Sequence, residues 1–143
     1  MVNIIYIHSH DTGRYVQPYG HAIPTPRIQR LAEEGALFRR AFCANPTCSP
    51  SRACLLTGQW AHSCGMGGLV NRGWSLPHPE RLLPVFLREA GYQTVRTGIQ
   101  HVVKDPQEGG YERIEGGDGG DRGAALRAAS FIAESHDRPF FLD

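Results

Sequence analysis

Cys48 opens the run Cys-Ser-Pro-Ser-Arg, which ends at Arg52 and leads on to Leu55, Leu56, Thr57 and Gly58. A thiol, two hydroxyls and a guanidinium in one short run are the parts of a nucleophile beside an oxyanion site. Three chemistries fit Cys48 at this level. As a zinc ligand it needs a close cysteine or histidine partner and a second such pair. Cys43, Cys48, Cys54 and Cys64 do not show that spacing. As a structural thiol it would sit beside a core. As a reactive group it would use a helix start, where free N–H groups and the positive end of the dipole stabilise an anion. Pro50 suits the first turn of such a helix, Ser51 can satisfy its open amides, and Arg52 adds a planar, permanently charged fork for a tetrahedral oxyanion. Residue chemistry by itself leaves the last two readings level.

The elements that must position these residues alternate. Asn3 to His8 is a short β-branched run, expected as a central strand buried on both faces. Thr25 caps a helix that begins at Pro26 and stops at Gly35. Residues 37–44 read as a further strand. Ser49 or Ser51 caps a helix that ends at Gly58, and residues 80–92 form another, interrupted near Pro84 and closed by Gly91. A strand follows at 93–99. Residues 105–123, rich in glycine and acids, are expected as a mobile loop. A helix over 124–135 and a strand over 138–143 complete the chain. Strands alternating with helices predict an α/β fold, a doubly wound and mostly parallel sheet flanked by helices. Ligands of such sheets bind beyond the carboxyl ends of the strands. That rule selects His8, His10 and Asp11 after the first strand and His101 after the next long one.

Bulk properties exclude several classes. The 143 residues carry a formal net charge of +1, so no basic field points to nucleic acid. Apolar residues make up 41% and charged residues 20%, the balance of a globular chain. No apolar run has the length of a membrane span. The N-terminus lacks the basic-then-apolar order of a signal peptide, so a cytoplasmic location is expected unless a leader is missing, with the cysteines as thiols.

The run Cys48 to Gly58 resembles the signature of type I sulfatases, in the alkaline phosphatase superfamily. Around it, residues 3–15, 24–52, 83–101 and 137–143 are similar to the same family, and the heparan N-sulfatase-like branch is the nearest in flavour. The resemblance implies an enzyme that cleaves sulfate from a sulfated sugar or related ester. Its nucleophile would be a formylglycine made from Cys48 by a separate maturation enzyme. It implies one divalent metal, calcium in the family, with Asp11, the residue at position 10 and the modified Cys48 as ligands. Arg52 would stabilise developing charge and His101 would handle protons.

The sequence departs from the family at two of these positions. His10 stands where the family carries a first aspartate, and an imidazole favours manganese or zinc over calcium. Ile99 stands where a sulfate-binding lysine is usual, two residues before His101. His62 lies near a histidine common in the family, His8 is placed to support a metal ligand, and Arg14 to meet substrate or solvent. The family's second pair of metal ligands would lie past residue 143. Residues 1–143 are therefore expected to be the N-terminal part of a sulfatase catalytic domain, incomplete alone. A phosphonate or phosphate ester hydrolase of the same superfamily, and a non-catalytic relative whose Cys48 stays a thiol, are the competing readings.

Overall fold

A computed structural model describes residues 2–116 and 120–143 of the chain. They form two compact units, one of residues 1–7 and 44–143 and the other of residues 8–43.

The larger unit is built on a four-stranded parallel sheet. Its strands are β1 (Ile4–Ile5), β2 (Gln93–Thr97), β3 (Arg113–Glu115) and β4 (Phe140–Leu142), in the order β1-β4-β2-β3. Ile4 pairs with Phe141, Val95 with Leu142 and Arg96 with Ile114. Side chains alternate across the pleat. Phe140 and Leu142 join Val95 on one face, against Phe131 and Ala128 of α4 (Gly120–Ile132). Phe141 points the other way, into a cluster with Tyr92, Tyr111, Ile4 and Tyr6 that includes Leu87 of α3 (Leu83–Glu89). Helices on both faces of a parallel sheet make the doubly wound α/β arrangement that the alternation predicts. A third cluster, with Ala53, Leu56, Met66, Leu76, Leu82, Val85, Val102 and Val103, seats α2 (Cys48–Thr57).

The smaller unit holds α1 (Pro26–Glu34), with Thr25 at its N-cap and Gly35 after it, as its sequence predicts. The Thr25 hydroxyl accepts from the Gln17 N–H (2.9 Å) instead of capping its own helix.

Four expectations need correction. Residues 37–44 form no strand, and Phe38 and Phe42 are exposed; Arg39 and Arg40 turn the chain instead. Among the described residues the run 3–8 is not a central strand: β1 has β4 alone beside it and leaves Ile5 half exposed. The expected loop 105–123 contains β3. Its Arg-Ile-Glu lacks apolar alternation because it lies at the sheet edge, where Arg113 binds Glu134 (2.6 and 2.9 Å) and Ile114 packs inward. Residues 117–119 of that segment lie outside the described residues. Pro84 does not interrupt a helix but begins one, in the first turn of α3, where its missing N–H is not needed. Among the described residues, no helix is long and apolar enough to cross a membrane.

Candidate active site

α2 starts at Cys48 itself, one turn earlier than a cap at Ser51 would put it. Thr47 is the N-cap, in extended conformation, and its carbonyl accepts from the Ser51 N–H (3.0 Å). Asn45 holds the approach, its Oδ1 accepting from both the Thr47 N–H (3.0 Å) and the Thr47 hydroxyl (2.7 Å). Ser49 does not cap; it is buried and its hydroxyl accepts from the Val70 N–H (3.2 Å). Cys48 is therefore the first residue of a ten-residue helix, half-buried, with the open amides of that turn around it.

His101 meets it. The Cys48 Sγ lies 3.7 Å from the His101 Nδ1, although the two are 53 residues apart in sequence. The segment that carries His101 is held from both sides. Before it, the Gln100 Oε1 accepts from the Val102 N–H (2.5 Å) and the Val103 N–H (2.8 Å), while Nε2 donates to the Val103 carbonyl (2.5 Å). After it, Val102 and Val103 are buried in the cluster under α2. His101 itself has φ 54°. That left-handed conformation is uncommon for a side chain with a Cβ and persists where its surroundings over-determine it.

Arg52 lies one turn along α2 from Cys48, on the same face. Its positive charge acts on the Tyr6 hydroxyl at the end of β1, whose pKa burial and the nearby Asp143 carboxylate nonetheless raise. Asp143 follows β4, and its Oδ2 accepts from the Tyr111 hydroxyl (2.5 Å). Burial first, and then Asp143, push the Tyr111 phenol far above its ordinary value. Beneath them the Arg96 guanidinium is buried, 5.8 Å from the Tyr111 ring centroid, and burial lowers its pKa. Its Nε and Nη1 have no hydrogen-bond partner among the described residues. Tyr6, Asp143, Arg52 and the Cys48–His101 pair thus place a thiol, an imidazole and a guanidinium together with a phenol and a carboxylate in the larger unit. Sequence reasoning missed Tyr6, Tyr111 and Asp143, while the strand-end rule that selects His101 takes in Gln100 before it. Their signal was positional, since Tyr6 and Asp143 directly follow strands.

In the smaller unit, the His10 Nδ1 lies 3.0 Å from the Asp11 Oδ2, and both side chains are exposed. Asp11 has φ 56°, a second left-handed residue. A divalent cation takes about four to eight donors. Among the described residues, no three His, Cys, Asp or Glu side chains gather as a metal site. The pair therefore fits as part of a metal shell and not as a whole one. Arg14 covers the Tyr19 ring at 5.1 Å. His62 and Ile99 are exposed in the larger unit. Cys54 and Cys64 are buried thiols and Cys43 an exposed one.

Comparison with known proteins gives this geometry a setting. The Sulfatase family model matches residues 2–142. An N-acetylglucosamine-6-O-sulfatase of Bacteroides thetaiotaomicron is 35% identical over 107 residues, covering 73% of this chain and 19% of that protein. Human N-sulphoglucosamine sulphohydrolase is 37% identical over 131 residues, covering 85% of this chain and 26% of its own length. Pig N-acetylgalactosamine-6-sulfatase is 38% identical over 107 residues, covering 68% and 20%. The chain thus spans about a fifth to a quarter of these relatives. One solved structure, of an enzyme in complex with its substrate D-glucosamine-2-N,6-O-disulfate, superposes with a TM-score of 0.79 at 24% identity. It covers 99% of this chain and 33% of that one, and likeness at that identity speaks for the fold.

Proposed function

The chain belongs to the sulfatase family, and from that membership we propose that it contributes the nucleophile half of a sulfuric ester hydrolase acting on a sulfated amino sugar. The relatives it matches are named for sulfated glucosamine and galactosamine derivatives, which supports that substrate class. The observation that carries the reading is the 3.7 Å pairing of Cys48 with His101 at the mouth of α2.

In this proposal a maturation enzyme converts Cys48 to formylglycine. Hydrated, that aldehyde would offer one hydroxyl as nucleophile toward sulfur and a second whose loss of a proton would let sulfate leave. The remaining steps belong to side chains of the chain. His101, next to the reacting position, moves the proton between nucleophile and leaving alcohol. Arg52 and the amides of the first turn of α2 face the oxyanion and stabilise the charge that develops on it. Asp143 and Tyr6 hold the electrostatic balance around Arg52. A divalent cation, calcium by family or manganese or zinc by the imidazole of His10, would take Asp11 and His10 among its donors and would supply Lewis-acid chemistry.

The test is the mass of the Cys48 peptide after co-expression with a formylglycine-generating enzyme. Conversion to the aldehyde is expected, and an unmodified thiol would overturn catalysis by this route. His101→Asn in the converted protein should lower kcat on an aryl sulfate by about a hundredfold to ten-thousandfold. Ile99, in place of a cation, favours a second reading as a phosphonate ester hydrolase. Faster turnover of the matching aryl phosphonate would select it.

A further inference from the structure

Trp74 stands outside everything assigned so far. The segment that carries it leaves the core after buried Met66 and returns at buried Leu76, so it is pinned at both ends. Between them the chain turns tightly, with the Arg72 and Trp74 N–H groups both donating to the Leu69 carbonyl (2.9 and 3.2 Å) and Gly73 taking φ 93°. The indole lies on the backbone of Gly67 and Gly68. A Cβ added at Gly68 would come within 2.3 Å of its Nε1, and one at Gly67 within 3.0 Å of its Cη2. Two consecutive glycines thus provide a seat that no side chain could share with the ring. One face of the ring is used by that seat, yet Trp74 keeps 47% of its surface exposed.

The seat is tied to the nucleophile's own element. The Val70 N–H, inside the turn, donates to the hydroxyl of Ser49, the buried residue directly after Cys48. Val70 also packs against the cluster that seats α2. A large aromatic ring seated on glycine backbone and about half exposed offers contact area at little entropic cost. The apolar C–H face of a pyranose ring matches such a surface, and an aromatic beside a few placed polar groups is the usual lining of a small-ligand site.

We infer that Trp74 is the stacking platform for the sugar ring of the substrate, a specificity residue set beside the Cys48 helix by the Ser49–Val70 hydrogen bond. The inference rests on the sulfated amino sugar reading above, and two readouts separate its failure from a failure of that reading. The protein contains two tryptophans, Trp60 and Trp74, so Trp60→Phe leaves Trp74 as its single indole. Titrating that variant with glucosamine-2-N,6-O-disulfate should change the Trp74 emission saturably whether or not sulfate is released. An unchanged emission would overturn the platform. In the converted enzyme, Trp74→Ala should raise KM for that amino sugar by up to about tenfold, the effect of losing roughly one aromatic contact. Rates on a short alkyl sulfate, which has no ring to stack on an indole, should stay within about twofold, and Trp74→Phe should recover part of the loss. Equal losses on both substrates, or none on either, would overturn the platform while leaving sulfate hydrolysis standing. Sugar binding that shifts Trp74 emission without turnover of any sulfate ester would uphold the platform and overturn the hydrolase reading.

Discussion

At the scale of single residues, the site depends on side chains whose neighbours come from distant parts of the chain. Cys48 and His101 are paired by a loop that Gln100 locks and two valines anchor. The cysteine motif, Arg52 and His101 are legible from residue type and spacing. The Tyr111–Asp143 contact is not, because the two residues are 32 apart in sequence and neither carries a motif. This contact makes a pH prediction. The Tyr111 phenol is harder to ionise folded than unfolded, so the folded state binds more protons above the ordinary phenol value of about 10. Its contribution to stability is complete below that value and is lost as pH rises past it. Denaturant unfolding across the alkaline range should show stability falling, with a shallower slope in Tyr111→Phe. An identical slope in the variant would remove Tyr111 as the cause.

At the scale of elements, propensity reads helices better than sheet edges. The start of α1 follows from Thr25 and Pro26, and α2 from the motif, with Gly58 at φ 66° closing it. β3 escapes because an edge strand needs no apolar alternation on its open side, and Arg113 and Glu115, bonded to each other, read as loop residues. Gly110 sets the entry to β3. It has φ 80°, and a Cβ there would reach the Val85 Cγ2 at 2.5 Å and the Val85 backbone N at 3.1 Å. Gly110→Ala should therefore lower stability by about 1–2 kcal/mol for the backbone conformation and roughly 1–3 kcal/mol for the overlap. Gly20→Ala, with φ 87° and open space around it, should cost the backbone part alone. Equal losses at the two sites by chemical denaturation would contradict the steric account.

At the scale of the whole molecule, the sheet order decides which strands are guarded. Among the described residues, β2 and β4 each have neighbours on both sides, whereas β1 pairs only with β4 and β3 only with β2. Hydrogen exchange should be slowest at the amides of Val95 and Asp143, which join those inner strands, and faster at Tyr6, which joins the β1 edge to Leu142. Equal protection across the sheet would argue against this order. The sequence by itself determined the alternation of strands and helices, the parallel α/β class, and the helix over the Cys48 motif that Gly58 closes, because those follow from local periodicity and a contiguous motif. Only the tertiary structure decided that, among the described strands, the first apolar run lies at an edge, that His101 reaches Cys48, and that Tyr111 binds Asp143 near Tyr6 and Arg96. Each of those depends on which strands pair and where their carboxyl ends meet, and pairing is chosen by long-range burial that no local pattern encodes.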